Sequence, residues 1–557
     1  MADEEERRAG RQRDADEDER RVRAKRAADT EAEADADADP VAAEEPAEVR
    51  HGRPLNPRRP LHRRPLPWVA VGVLVLLVIG LLVWAPWRQP TVRVTDGGDV
   101  LADYLGDVSG RIRDENRSLP DGNFVSVAFM IAIRTPADDI NGQSAILHEL
   151  EGAFLAQHWA NHPDGTAAFA TDRPLVKLLV ADTGFKGTDW SETVAQLVRA
   201  VGEQHLVAVA GLGSSTTQTQ AAVDELARNK IPMIGAVVTS AKLAAAGLVR
   251  VAPTDHNETD AMVNYLRGTQ AWRDAADPKS YLAYLIQDKA ENDTYAADLA
   301  QSYRKSFGEG DQGNDRVHVL LQDEQGLYDG SQPAAGNALS RQADTVCVIR
   351  PRVVLFAGRS QDVQTFVADL AGRRCADAPI TVVTGDDVDH LNIPRPPGAG
   401  PLWVEQNSGI EVVYTALASP QTWQLDQDAV SRSTVARFAT CVGCFLHYFA
   451  DPKGLDDGHA IMAHDSVLTA VTAARNVVSQ TNPTPPPAAA LTNGLYSIDA
   501  QHAVPGASGY IYFQGSTNGQ DGVPASKLVP ILKLNPDGSA TEQGLSSGTG
   551  TLPGPPK

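Results

Sequence analysis

Positive charge is what this chain has least to spare. Its 557 residues carry 50 Lys and Arg against 71 Asp and Glu, a formal net charge of −21. The first 67 residues hold 18 acidic and 15 basic side chains, so −18 falls on the remainder. A body of that sign has nothing with which to offset phosphates, which argues against a nucleic-acid partner. Cysteine is scarce: Cys347, Cys375, Cys441 and Cys444 are all there are. None lies near the apolar run at 68–87, so a lipid anchor on cysteine is excluded. The CxxC of TCVGC supplies too few thiols for a structural zinc and lacks a thioredoxin-like βαβ context.

Catalytic signatures are missing as well. His148-Glu149 begins like HExxH, but Gly152 stands where the second histidine belongs. No GK[ST] follows a glycine loop, and no GxSxG elbow is present. GDDVDH (385–390) clusters acids without the spacing, glycine and terminal glutamate of an EF-hand, and reads as a solvated loop near a cleft. His158 and His162, four apart, could chelate a metal but read as an ordinary surface pair at a helix end. With no nucleophile–base pair in view, neither an enzyme nor a cofactor is expected.

Long hydrophobic runs are limited to one. WVAVGVLVLLVIGLLVWAPW (68–87) has no charge over about 20 residues, enough to cross a bilayer as a helix. Trp68, Trp84 and Trp87 mark its ends. Arg50, Arg53, Arg58, Arg59, Arg63 and Arg64 lie upstream, against Arg88 and Arg93 downstream, so the positive-inside rule keeps residues 1–67 in the cytoplasm and exports the rest. A cleaved signal peptide is the competing reading, disfavoured by the long preceding segment. Residues 1–67 are nearly devoid of apolar side chains and are expected to be a disordered charged tail. In an oxidising compartment the four cysteines suggest disulfides. Cys347 and Cys375 fall at one end of a βα unit, and Cys441 and Cys444 form a local pair.

Residues 88–119 read as a linker with one short amphipathic piece. From 120 apolar strands alternate with helices: strands at 124–133, 174–184, 205–211 and 231–237, with helices at 144–162, 193–203 and 216–230. The series restarts with strands at 249–253, 281–288, 353–358 and 380–385 and helices at 259–272, 295–308 and 366–374. Further helices are expected at 427–449 and 462–479, then a Pro-rich loop at 481–490 and a flexible C-terminus at 546–557. Two successive βα series imply an α/β protein of two parallel doubly wound sheets with a cleft between them.

At the end of the third strand stands GLGSSTTQ (211–218), glycines followed by hydroxyls and leading into a helix. In open α/β sheets ligands bind past the carboxyl ends of strands. Free amides and hydroxyls there suit an anionic group. A plain helix N-cap is the alternative.

This run, followed by IPMIGAVVTSAKL (231–243), resembles the ligand loop and next strand of type I periplasmic binding proteins, particularly the branched-chain amino-acid-binding branch. Collinear with it, LHELEGAFLAQHWAN (147–161), LLVADTG (178–184), VRVAPTDHNETDAMVNYL (249–266), YAADLAQSYRKSF (295–307), VVLFAG (353–358) and HDSVLTAVTAARN (464–476) are similar to further family segments. The resemblance covers roughly 120–545. It implies a hinged type I solute-binding domain over 120–545, lobe one formed by 120–254 and 417–505 and lobe two by 255–416 and 506–545. It implies a ligand carboxylate held by Ser214, with Ser215, by the backbone of Val237 and by Thr239. Tyr295 would be the lobe-two aromatic and Asp362 the partner of an ammonium. The first loop, IRTPADDINGQ (133–143), is longer and more charged than the family's, and Arg359 stands beside Asp362. The implied function is capture of a small polar solute, amino-acid-like, for an ABC permease. A membrane-anchored sensor or protein-interaction scaffold using the same fold is the alternative.

Overall fold

The computed structural model describes residues 93–555, apart from positions 123, 138, 271 and 526 and the stretches 163–172, 273–280, 310–317, 321–325, 376–378, 393–399, 404–408, 439–443, 482–485 and 514–521. The charged tail and the apolar segment at 68–87 lie outside the described residues. Among the described residues no helix is long and apolar enough to cross a membrane.

Six strands make the first sheet: β1 (Val94–Thr95), β2 (Phe124–Ile131), β3 (Leu175–Asp182), β4 (Leu206–Gly211), β5 (Met233–Gly235) and β6 (Leu248–Arg250). Their order is β1-β3-β2-β4-β5-β6, all parallel except β1. In β2, FVSVAFMI is buried throughout after Phe124, as expected of a parallel strand covered on both faces. The helices of this half are α1 (Gly106–Ser118), α2 (Ile140–Asn161), α3 (Trp190–Glu203) and α4 (Thr217–Arg228). Val194, Leu197 and Ala200 give α3 one apolar face, which packs under β4.

The expected linker is built structure from residue 93 onward. Leu105, Val108 and Ile112 bury one side of α1 and its lead-in turn in the first core. Arg93 is 6% exposed and pairs with Asp182, Asp189 and Glu192. Thirteen residues with two buried apolar side chains made a weak helical pattern, and tertiary packing completes it.

The second sheet comprises β7 (Tyr281–Asp288), β8 (His318–Leu320), β9 (Leu327–Tyr328), β10 (Val353–Ala357), β11 (Ile380–Thr384), β12 (Ile410–Thr415), β13 (Val529–Leu534) and β14 (Ala540–Ser546). Its order is β14-β13-β12-β11-β10-β7-β8, with β9 beside β7; β13 and β14 are antiparallel additions. Helices α5 (Asp255–Leu266), α6 (Thr294–Glu309), α7 (Ala335–Ile349) and α8 (Ser360–Ala371) belong to this half. The Cys347–Cys375 disulfide forms, closing the α7–β10–α8 unit. Cys444 is also disulfide-bonded, and Cys441 lies outside the described residues.

Between β12 and β13 the chain returns to the first half. The helix expected over 427–449 is two short pieces, α9 (Arg432–Ala436) and α10 (Phe445–Tyr448), because Ser431 caps a new start and Arg437 already bends out on Thr434. Then come α11 (His459–Thr481) and α12 (Ala488–Tyr496). α11 packs along α2, and the two backbones meet at Gly152, where any Cβ would overlap the Ala460 carbonyl oxygen. The HE pair that started a zinc motif is structural polar glue here: His148 bonds Asp457 at 2.6 Å and Glu149 bonds His459 at 3.3 Å. The tail expected to be flexible from 546 begins packed. Ser546 Oγ donates to the Ala261 carbonyl, and Asn264 donates to that of Ser547.

Candidate functional site

The turn after β4 shows why GLG breaks the strand. Gly211, Leu212 and Gly213 all have positive φ, and a Cβ on Gly211 would press on the Met130 carbonyl and the Phe129 ring. The chain thereby reverses onto α4, whose N-terminus Thr216 caps by accepting from Thr219 N at 3.1 Å. Ser214 is exposed, and its carbonyl accepts from the Thr219 hydroxyl. Ser215 is buried; its hydroxyl accepts from Ser240 N, and its carbonyl accepts from Tyr295 N of the second half at 3.3 Å. Thr217 N donates to the Asn292 carbonyl. The two halves therefore meet backbone to backbone along the hydroxyl run.

A second turn, 237–241, joins the same seam. Val237 is half-buried at its start. Arg250 from β6 donates to the carbonyls of Ser240 and Leu243 and fixes the turn from below. Burial depresses that guanidinium to about 10. Asp298 on α6 accepts from Ser240 Oγ and from Ala241 N at 2.6 Å, clamping the turn to the second half. Thr239 is 1% exposed; its hydroxyl lacks a hydrogen-bond partner and faces the Asp255 carboxyl.

On the second half the central group is Arg359, at the N-cap position of α8. It reaches Asp293 at 2.5 and 2.9 Å, Asp387 at 2.7 Å and the Ser215 carbonyl at 3.3 Å, and it stacks over the Tyr295 ring with the guanidinium 4.6 Å from the centroid. Burial by itself would depress this guanidinium, but Asp293 and Asp387 outweigh it and hold it well above its ordinary value. Burial pulls Asp387 upward; Arg359, with help from His390 and Ser360 N, overrides that and brings it down to about 2. Asp386 next door goes the other way, to about 7, through burial and the Asp387 charge.

The structure thus gathers Ser215, Thr239 and Tyr295 at one seam. Asp362 is turned elsewhere: it accepts from Tyr328 OH at 3.0 Å, and burial pushes it up to about 6. The loop GDDVDH, expected to be solvated, is a buried 3₁₀ turn, Asp386–Leu391, with Asp386, Asp387 and Asp389 only 8%, 8% and 2% exposed.

The His158–His162 pair is also tied in, both rings reaching Glu115 at 3.0 and 3.2 Å. A cavity of about 470 Å³ lined by Asp428, Ser431, Ala503 and Tyr510 lies away from the seam.

No protein-family model and no curated protein matches the sequence. Solved structures do. A substrate-binding protein of an ABC transporter from Desulfitobacterium hafniense, in complex with Leu, aligns over 75% of this chain and 99% of its own, at 16% identity and a TM-score of 0.51. One from Aeropyrum pernix aligns over 76% and 96% at 15% identity and 0.51. The solute-binding protein of an ABC transporter from Rhodopseudomonas palustris BisB5, in complex with 3,4-dihydroxybenzoic acid, aligns over 76% and 98% at 15% identity and 0.50. The fold is that of ABC-transporter substrate-binding proteins. Within this substrate-binding-protein fold the seam lies at the carboxyl ends of β4, β5, β10 and β11, where open α/β sheets place ligands.

Sequence reasoning missed Asp293, Asp386 and Asp387 as seam residues. The signal available was the run of acids directly after β11, at a strand end rather than in a free loop.

Proposed function

We propose that this protein captures a small polar solute between its two halves, as the extracytoplasmic substrate-binding component of an ABC importer. The observation that carries this reading is the facing of two chemistries across one seam: hydroxyls and amides of Ser215, Thr239 and Ser240 on one side, Tyr295, Arg359 and the 386–387 acids on the other. A carboxylate-bearing solute would exchange Arg359 contacts with Asp293 and the Ser215 carbonyl for its own, and an ammonium would meet the acids of the 385–390 turn. Leucine and dihydroxybenzoate, named with two of the structural neighbours, both carry a carboxylate.

The site residues Ser214, Ser215, Val237, Thr239, Tyr295 and Asp362 stay part of the proposal with one shift of emphasis: Asp387 and Asp386, rather than Asp362, adjoin Arg359 and Tyr295. Anchoring by residues 68–87, with the N-terminus cytoplasmic, goes with this reading. The Cys347–Cys375 disulfide suits an oxidising location.

A second reading is favoured by one specific observation. Arg359, Asp293 and the Ser215 carbonyl already satisfy one another across the seam, which suits a sensor or scaffold that needs no guest.

Thermal shift of the full-length protein against amino acids, amides and aromatic carboxylates separates the two. Solute binding predicts a shift for at least one class that Ser215→Ala and Thr239→Ala remove. A flat response across the panel supports the scaffold.

A further inference from the structure

Asp255 and Glu258 project from the first turn of α5, three residues apart and so on one face, and Asp386 comes from the turn after β11. One carboxylate oxygen from each lies within 4.8 Å of the others. The three residues are 0%, 1% and 8% exposed. Glu258 Oε2 accepts from the Thr415 hydroxyl at 2.6 Å, but Glu258 Oε1, Asp386 Oδ1 and both oxygens of Asp255 have no hydrogen-bond partner. The Thr239 hydroxyl, equally buried and unpartnered, faces Asp255 from the other half.

The guanidiniums that act on this cluster aim the hydrogen bonds they make elsewhere, although the Arg250 Nε is buried without a partner. Arg250 donates to the carbonyls of Ser240 and Leu243, and Arg359 to Asp293, Asp387 and Ser215. Three enclosed carboxyls facing one another, with Asp298 also pressing on Asp255 and Arg250 and Arg359 acting without a direct hydrogen bond, are costly unless something positive sits among them. Oxygens that share a calcium ion at 2.3–2.6 Å are at most about 5 Å apart, and the three here all lie inside that limit. An all-oxygen set selects a hard cation over thiophilic metals. A dry, protein-enclosed set suits calcium over magnesium, which retains its waters.

We propose that Asp255, Glu258 and Asp386, with the Thr239 hydroxyl, form a binding site for a hard divalent cation of the calcium class. The site lies where the chain passes between its halves: Asp255 and Glu258 open the first element after β6, and Thr415 ends β12 just before the chain returns. A cation there ties both passages together. Thr239 and Asp386 are shared with the solute reading, but the readouts here involve no solute, so failure of one is distinguishable from failure of the other.

The test uses full-length protein stripped with EDTA at pH 7 and then titrated with terbium(III), followed by tyrosine-sensitised luminescence and displacement by calcium. Tyr295 beside Asp386 is an available antenna. One terbium per chain is expected, displaced by calcium, with a calcium-dependent rise in Tm. Glu258→Gln and Asp386→Asn should weaken binding at least tenfold and abolish that rise while leaving the Tm in EDTA no lower, because neutral amides relieve the same crowding. Indifference of the parent protein to both metals would overturn the proposal, since protons then neutralise the cluster. The exposed variant His162→Ala removes a ligand from the Glu115–His158–His162 group, the other candidate among the described residues. Binding retained in His162→Ala supports the site even if the buried variants fold poorly. Binding lost there overturns it.

Discussion

Replacing Arg359 by methionine keeps most of the apolar stem and deletes every polar contact the guanidinium makes. Two carboxylates, Asp293 and Asp387, 12% and 9% exposed in the parent, lose their guanidinium partner, and the Ser215 carbonyl loses a donor. The cost can be worked from Asp387. Its folded pKa stands at about 2, against an ordinary 3.8, and Arg359 is the largest contribution lowering it. A depressed carboxylate stabilises the fold above its unfolded pKa and loses that contribution as pH falls through the folded value. The difference corresponds to about 2 kcal/mol at neutral pH. Breaking a fully buried pair costs about 3–5 kcal/mol, and the guanidinium here is a quarter exposed, so the lower figure is the better guide. For the single compact unit Pro90–Lys557 this means a fall in Tm of about 2–3 °C at pH 7. The assay is intrinsic-fluorescence melting of parent and variant between pH 7 and pH 2. The gap between the two proteins should narrow as pH falls from 4 toward 2, where the parent protonates Asp387 too. A Tm within about 1 °C of the parent at pH 7, or a gap that does not change with pH, would refute the reasoning.

Two further outcomes follow from the packing. Gly152→Ala drives a methyl into the Ala460 carbonyl at the α2–α11 crossing and should cost about 1–3 kcal/mol, read as a lower Tm, whereas Gly202→Ala near the end of α3, with open space around its Cβ, should be neutral or slightly stabilising. Removing the Cys347–Cys375 bridge, which spans 28 positions, with the double variant Cys347→Ala and Cys375→Ala should lower the melting transition by the equivalent of about 3.5 kcal/mol, checked by melts of parent and variant.

Much of the element order was legible because a strand or helix announces itself within a few residues. The apolar runs at 124–133 and 281–288 became β2 and β7, and the spaced Val194, Leu197 and Ala200 of 193–203 became the buried face of α3. The hydroxyl run at 214–217 could be placed at a strand end by the same local logic. What could not be read is partnership across distance. Arg359 finds Asp293 66 positions upstream and Asp387 28 positions downstream, and only the folded sheet brings those turns together. Likewise the acids at 385–390 look solvated because local sequence favours water for such a run; they are buried by Tyr295 and by α2, neither of which is adjacent in the chain. Asp255 and Glu258 fell before the helix expected at 259–272, so nothing local put them on one face; the helix in fact begins at Asp255.

The return of the chain to its first half has a consequence for how the molecule is made. The cover for α2 arrives with α11, some 300 residues after α2 itself, and β13 and β14 join their sheet last of all. As the polypeptide emerges, Leu150 and Phe154 belong to a layer whose opposite wall has yet to be synthesised. Neither half can therefore mature ahead of the other, and a chain interrupted before 459 leaves both unfinished.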